Sequence, residues 1–206
     1  LKEIYPILKG SCEFVCDYLI EDKNGYLVTS PSNSPENEFY FINDKGEKKE
    51  SMLTYGAAID FQIIDALFTR TISATEILAS DSDFAHTLKA ILKRLPPMKI
   101  SERYGTIQEW IKDYEETEPG HRHISQLVGL YPGNLINSTT PAWIDAAKYT
   151  LSQREMGTAG DSWGWSIAHR QSLWARVGDG DAAYNQYQKL LTMRTATNLW
   201  SKTPAG

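Results

Sequence analysis

The sequence is poor in cysteine and has no long hydrophobic run. Only two cysteines occur in 206 residues, Cys12 and Cys16. A spacing of four on one predicted helix suits a disulfide poorly, and two cysteines without a companion pair make a weak metal site. We therefore interpret both as small core side chains. Because no stretch of about 18 apolar residues is present, the sequence predicts no membrane-spanning helix.

An excess of positive charge is also missing. The chain has 21 Lys and Arg against 26 Asp and Glu, a formal net charge of −5, whereas nucleic-acid binders usually carry a basic patch. No glycine-rich phosphate loop or dinucleotide fingerprint occurs. His121 and His123 are two apart and lack the partners that a zinc site needs. The sequence therefore predicts no nucleic-acid or membrane partner, no metal and no cofactor.

What the chain does contain is helical periodicity. Hydrophobic residues make up 41% and charged residues 23%, as in ordinary globular proteins. Apolar residues recur at helical spacing, with caps or prolines at several ends. Helices are predicted over residues 1–22, 55–80, 81–95, 107–114, 140–155, 162–177 and 181–193. Residues 39–42 are predicted to form a short strand followed by a turn. Paired antiparallel helices therefore dominate the expected fold.

One loop interrupts this pattern, the segment Ser-Pro-Ser-Asn-Ser-Pro-Glu-Asn at residues 30–37. Its two prolines fix φ and remove two backbone donors, which excludes a helix or a central strand. The small polar residues around them favour a stiff loop. Glu36 lies on it, and a carboxylate on a rigidly held loop is well placed for chemistry. A solvated surface glutamate would have the same pattern, so both interpretations stay open here.

A second polar segment, Glu-Pro-Gly-His-Arg-His at residues 118–123, places three ionisable side chains in a row after a Pro-Gly turn. The chain is also rich in aromatics, with six Trp and eleven Tyr. Aromatic faces pack on the C–H face of a sugar while charged groups bind its hydroxyls. Trp110 and Trp165 lie beside these segments and are candidates for such contacts, although a tryptophan at a helical position is equally a core residue.

Together these segments resemble glycoside hydrolase family 95, the inverting α-L-fucosidases. The resemblance includes Leu-Tyr-Pro-Gly-Asn, Gly-Trp-Ser and Leu-Trp-Ala-Arg, and it runs along nearly the whole chain. The matching segments are 30–37, 60–68, 94–97, 108–113, 118–123, 130–134, 164–166 and 173–181. Many separate segments in the same order make the resemblance specific, although no single one would.

The resemblance implies an all-α fold, part of an (α/α)6 toroid built of helical hairpins with long functional loops. A complete ring needs more helices than the seven or eight that this sequence suggests. Residues 1–206 are therefore expected to form a single domain that is an incomplete C-terminal portion of the barrel.

The resemblance also implies an activity, the removal of terminal α-1,2-linked L-fucose from glycans with inversion. It gives Glu36 as the general acid and Asp179 as the aspartate that orients a water-positioning asparagine pair, with Asp181 and Asp161 as alternatives. Asp179 is equally a candidate N-cap. The asparagine motif belongs upstream in the family and has no match here, so the isolated chain is expected to be poorly active.

Arg122 and His123 are implied to bind sugar hydroxyls, with Trp110 and Trp165 at the sugar face. A general acid that works near neutral pH needs burial, so we expect a covered Glu36. The expected partner is a fucosylated oligosaccharide or glycan, in an extracellular or periplasmic location. Two alternatives remain: an α-L-galactosidase with the same site, and a non-catalytic glycan-binding remnant.

Overall fold

A computed structural model describes residues 1–157 and 163–202. Within those residues the chain forms six α-helices: α1 (Tyr5–Tyr18), α2 (Ala58–Leu78), α3 (Ser82–Leu92), α4 (Pro141–Arg154), α5 (Gly164–Arg176) and α6 (Gly180–Met193). Five short strands accompany them: β1 (Leu19–Glu21), β2 (Leu27–Thr29), β3 (Phe39–Ile42), β4 (Lys48–Ser51) and β5 (Glu115–Glu116). The segment from Ser125 to Leu127 is a single 3-10 turn.

The strands show that the all-α prediction is wrong. Strands β1 and β2 pair as an antiparallel hairpin, and β4, β3 and β5 form an antiparallel three-stranded sheet with β3 in the centre. Each strand has only two to four residues, which is too short for an alternating pattern to stand out. In addition, β4 is the polar sequence Lys-Lys-Glu-Ser, which resembles an exposed loop.

Most predicted helices are confirmed, but one is wrong. The helices α1 to α5 lie inside the ranges expected from their apolar spacing, and α6 begins one residue before its expected range. The predicted helix at 107–114 is instead a series of bends, in which Ile107 pairs with Ile100 across an isolated bridge. Its Gln108 N–H donates to the Lys99 carbonyl rather than to a residue four positions earlier. A short apolar run does not separate a helix from a buried extended segment.

Two hydrophobic clusters hold these elements. The first joins α1, α2 and α3 through Cys12, Ile64, Phe68, Ile72, Ala85 and Leu88. Cys12 is fully buried there, which confirms its interpretation as a core residue. The second cluster packs α4 and α5 against residues 124–136, including Leu127, Leu130 and Ile136. This second cluster fixes the segment that follows Arg122 and His123 against two helices.

The start of the 30–37 loop is tied to α2. Asp60, in the first turn of that helix, accepts hydrogen bonds from Thr29 Oγ1 at 2.6 Å and Ser32 Oγ at 2.7 Å. Ser32 also exchanges two backbone hydrogen bonds with Thr54. The loop is therefore held on the scaffold before it reaches Glu36. In the same described residues, no helix is long and apolar enough to cross a membrane.

Candidate active site

The Glu36 loop is anchored on both sides of the glutamate. Ser34 Oγ donates to Glu109 Oε1 at 2.7 Å, and the Asn37 amide donates to Glu109 at 3.2 Å and to Glu116 at 3.0 Å. Ser34 and Asn37 are themselves buried. Small polar residues fit this segment because each can donate a hydrogen bond to a buried carboxylate while occupying little volume. The loop is therefore rigid by its hydrogen bonds as well as by its prolines.

Glu36 itself projects toward the 118–123 segment. Its carboxylate forms an ion pair with the Arg122 guanidinium, and His123 Nε2 lies 3.6 Å from the same Oε2 atom. The Glu36 side chain is 56% exposed, while Arg122 and His123 are each 28% exposed. The burial expected of Glu36 is therefore not provided by the residues around it. The three groups are nevertheless close enough to contact one ligand together.

An aromatic side chain borders this group. The ring of Trp165 lies 4.7 Å from that of His123 at a tilt of 49° and is 42% exposed. Ser166, on the first turn of α5, donates its hydroxyl to the Arg122 carbonyl at 2.7 Å. The first turn of α5 thus positions both the aromatic ring and the arginine backbone. The structure brings together four of the predicted site residues: Glu36, Arg122, His123 and Trp165.

His121 supports this segment from inside. It is buried, and its Nδ1 accepts the backbone N–H of His123 at 3.1 Å. An imidazole nitrogen that accepts a hydrogen bond carries no proton, so the ring is neutral. Burial, reinforced by the nearby Arg154 and Arg122 cations, lowers the pKa of His121 to about 4. These contacts give His121 a structural role within the segment. Burial also lowers the pKa of His123, although Glu36 acts in the opposite direction.

The buried His121 predicts a pH-dependent stability. Between its pKa of about 4 in the folded chain and the ordinary value of 6.5, only the unfolded chain takes up a proton. The His121 contribution is therefore fully present above pH 6.5 and is lost as pH falls toward 4, by about 3 kcal/mol. His121→Asn keeps an acceptor for the His123 N–H and removes the titration. In urea unfolding, we expect the free energy of unfolding of the mutant to rise relative to that of the wild type as pH falls across this range.

The exposed His86 provides the control for that experiment. His86→Gln makes a comparable substitution at an exposed position and controls for the loss of one imidazole. A constant difference between wild type and His121→Asn from pH 7 to pH 4 would contradict the neutral, buried His121. Measuring the difference removes the contribution of the other groups that titrate in the same range.

A buried ionic cluster lies beneath the loop. Arg154, fully buried at the end of α4, donates to Glu109 at 2.5 Å and to Glu116 at 2.6 Å. Burial raises the pKa of Glu116 to about 7 despite the attraction of Arg154. Burial alone would lower the pKa of Arg154, but the two carboxylates outweigh it and raise that pKa. Arg154 therefore stays a cation between two acids.

The sequence indicated little of this cluster. Glu109 lies in one of the family-like segments, and its buried position gives it a supporting role. Arg154 and Glu116 belong to no recognised motif, and a charged residue at a helix end is usually exposed. The sequence contained only a weak indication of the cluster, namely polar residues at positions where a buried apolar residue would be expected. These residues are Gln126, Gln153 and Arg154, and all three are buried.

The other predicted residues make contacts of a different kind. Trp110 is 3% exposed and packs on Phe39 at 5.1 Å, so its ring has no open face for a sugar. Asp179 is the N-cap of α6 and accepts from the Ala182 N–H at 2.9 Å. It follows the end of α5, whose last residue, Arg176, lies about 15 Å along the helix from Ser166. Asp181 is in the first turn of α6, and Asp161 lies outside the described residues.

The cap geometry makes Asp179 testable. Asp179→Ala removes the acceptor for the Ala182 N–H and should lower the free energy of unfolding by about 1 kcal/mol. Asp179→Asn keeps a cap of similar quality, so we expect near wild-type stability in thermal unfolding and unchanged glycoside hydrolysis. A large loss of turnover in Asp179→Asn, with stability retained, would establish the catalytic role that the resemblance implied.

The candidate site consists of the Glu36, Arg122, His123 and Trp165 side chains. Within residues 1–157 and 163–202, no group of three or more His, Cys, Asp and Glu side chains is arranged to hold a metal ion. Its chemical capacity is a carboxyl group that can give or take a proton, beside a guanidinium, an imidazole and an aromatic face. Such a set suits the binding and protonation of a polyhydroxylated ligand.

Comparison with known proteins agrees with this set of groups. Residues 1–205 match the model of the glycosyl hydrolase family 95 catalytic domain. The chain is 38% identical over 185 residues to alpha-L-fucosidase 2 of Arabidopsis thaliana, covering 89% of this chain and 21% of that protein. It is 31% identical over 201 residues to probable alpha-fucosidase A of Aspergillus niger, covering 94% and 24%.

A third relative, probable alpha-fucosidase A of Aspergillus oryzae, is 30% identical over 199 residues, with 88% of this chain and 25% of that protein covered. The chain thus spans a quarter or less of the length of the curated relatives it matches. The match to the family model nevertheless extends over nearly all of its residues. The chain belongs to the glycosyl hydrolase family 95 catalytic domain.

Proposed function

We propose that this chain supplies part of the active site of an α-L-fucosidase that removes terminal α-1,2-linked L-fucose with inversion. The observation that carries the proposal is the position of Glu36, on a loop held at both sides and directly opposite Arg122 and His123. The family membership and the names of the relatives supply the substrate class. Such glycans imply an extracellular or periplasmic site of action.

In the proposed reaction Glu36 is the general acid. Its carboxyl group gives a proton to the glycosidic oxygen while the bond from that oxygen to the fucose C1 breaks. A water attacks C1 from the opposite face, loses a proton to a base, and leaves fucose with inverted configuration. The acid and the water-activating groups must stand roughly 6.5–9.5 Å apart to leave room for that water. Because Asp179 caps α6 through its hydrogen bond to the Ala182 N–H, we assign the water side to groups other than Asp179.

Because Glu36 is exposed, we propose that the bound substrate itself covers the carboxyl group. In the structure the carboxylate contacts the Arg122 cation and is open to solvent. A bound glycan would cover the carboxyl group and take up Arg122 N–H groups with its own hydroxyls. Covering the carboxyl group also excludes water from the place of proton transfer. Ligand binding would therefore prepare Glu36 for its role.

Recognition of the sugar is assigned to the groups beside the acid. Arg122 offers several N–H donors to ring hydroxyls, and the neutral His123 offers a donor and an acceptor. The exposed face of Trp165 suits the apolar C–H face and the C6 methyl group of fucose. An α-L-galactoside carries a hydroxyl at C6, which would lose its hydration against an aromatic face. This arrangement therefore favours the fucoside over the galactoside.

The proposal is tested with the intact protein on two matched substrates, a 2′-fucosylated lactose and the corresponding α-L-galactoside. We expect release of the free sugar from both, with kcat/KM at least about 10-fold higher for the fucoside. A preference for the galactoside would overturn the substrate assignment. Binding of the fucoside by calorimetry without any sugar release would instead support the glycan-binding alternative.

A further inference from the structure

Arg154 contacts the supports of the Glu36 loop through two carboxylates. One terminal nitrogen donates to Glu109 and the other to Glu116. Glu109 in turn accepts from Ser34, and both carboxylates accept from the Asn37 amide. Ser34 and Asn37 stand two residues before and one residue after Glu36. The guanidinium is therefore connected to the loop on each side of the proposed acid by a single intervening side chain.

The same guanidinium also holds the segment opposite. Its Nε donates to the His123 carbonyl at 3.1 Å, and one terminal nitrogen donates to the Pro119 carbonyl at 2.8 Å. The Arg122 and His123 side chains that face Glu36 thus project from a backbone fixed at both ends by Arg154. One buried side chain joins the two halves of the proposed site, whose members are 86 residues apart in sequence.

We propose that Arg154 is a positioning residue that sets the distance between the Glu36 carboxyl group and the Arg122–His123 segment. The inference rests on the proposed function, because it concerns the placement of the proposed acid. A planar guanidinium has five donors in a fixed fork, so it can bind two carboxylates and two carbonyls at defined angles. A lysine ammonium keeps the charge but cannot hold that geometry.

A positioning role differs from a purely stabilising one in the substrates that it affects. A misplaced acid slows only the departure of groups that need protonation, such as the sugar alkoxide of lactose. A phenolate with electron-withdrawing substituents leaves without a proton, so its release needs little help from an acid. Loss of folded protein, in contrast, lowers the turnover of both substrates equally. The ratio of the two kcat values therefore reports placement of the acid and is independent of the folded fraction.

The test compares Arg154→Lys with the wild type in the intact enzyme, using 2′-fucosylated lactose and an aryl α-L-fucoside with an acidic phenol. We expect kcat on the lactose substrate to fall by about 100-fold, as for a displacement of about 1 Å. On the aryl substrate we expect a fall of less than about 10-fold, with KM for both changed much less than kcat. Equal losses on the two substrates would overturn the positioning role.

Two further variants keep the test decisive if Arg154→Lys folds poorly. Ser34→Ala removes one link between Glu109 and the loop and should shift the kcat ratio in the same direction by a smaller factor. Gln186→Ala is the matched control, because Gln186 is a buried glutamine that donates to Glu155 at 2.7 Å and has no contact with Glu109 or Glu116 among its hydrogen bonds. It should leave the ratio unchanged. A shifted ratio in Gln186→Ala, or an unshifted one in Ser34→Ala, would contradict the proposal.

Glu36→Gln separates this inference from the proposed function. In one outcome, Glu36→Gln loses turnover of the lactose substrate and keeps turnover of the aryl fucoside, as loss of an acid should cause. If Arg154→Lys then shows no such difference between the substrates, only the positioning role fails. If Glu36→Gln hydrolyses both substrates at wild-type rates, then the assignment of the acid fails as well.

Discussion

Glu36→Gln should lower kcat on a 2′-fucosylated lactose by about 10²- to 10⁴-fold, the range typical for loss of a general acid. The amide has nearly the same shape as the carboxyl group but has no proton of suitable acidity to give. The glycosidic oxygen must then leave as an alkoxide, which slows the bond cleavage. Because the Glu36 side chain is mostly exposed, thermal unfolding should change little, by less than about 1 kcal/mol.

The matched control is Glu38→Gln, which makes the same change of charge two residues further along the chain. Glu38 does not face Arg122 and His123 in the ion pairs of the site, and its replacement should leave kcat within a few-fold of the wild type. Steady-state kinetics on purified, folded protein measures both. Wild-type turnover in Glu36→Gln would exclude Glu36 as the acid, and an equal loss in Glu38→Gln would indicate a general effect of charge.

Arg154→Met should have the largest effect on stability. Methionine fills much of the arginine volume but leaves Glu109 and Glu116 buried side by side without a counter-ion. Removal of one partner from a buried ion pair costs about 3–5 kcal/mol, because the remaining charge is uncompensated. For a domain of this size, that corresponds to a decrease in Tm of about 10 °C. Calorimetry or circular dichroism of the intact protein measures the change.

Arg94→Met is the control for that stability change. Arg94 binds Glu21 at 2.6 Å, a distance close to those of Arg154, but both side chains are largely exposed to solvent. Exposed ion pairs contribute roughly 0–1 kcal/mol, so the Tm should decrease only slightly. If the two substitutions had equal effects, the account of Arg154 as a buried, doubly paired cation would be wrong.

The fold shows which features were predictable from sequence. Long helices such as α2 and α4 carry their own signals, an apolar stripe or a proline in the first turn, and these signals are local. The strands lack local signals, because β3 pairs with β5 across 77 positions, from Phe39 to Glu116. Pairing over such a distance depends on tertiary packing. The helical prediction therefore succeeded in most segments while the all-α fold class was wrong.

The site shows a similar division. Glu36, Arg122, His123 and Trp165 could be selected because they lie in segments that resemble one family, and the structure brings all four together. Arg154 could not be selected, because its partners lie 38 and 45 positions away and its helix has no unusual pattern. Asp179 had two interpretations in the sequence, and the hydrogen bond to Ala182 matches the N-cap. Site residues within local segments could be predicted from the sequence, whereas ion pairs between distant positions could not.

The central claim, an inverting α-L-fucosidase with Glu36 as its acid, is tested most directly by ¹H NMR of the first fucose released. The intact protein is mixed with a 2′-fucosylated lactose, and the anomeric signals are followed before mutarotation mixes the two anomers. The account predicts β-L-fucose first, followed by slow appearance of the α anomer. If α-L-fucose appeared first, inversion would be contradicted, and if no fucose were released at any enzyme concentration, the fucosidase assignment itself would be contradicted.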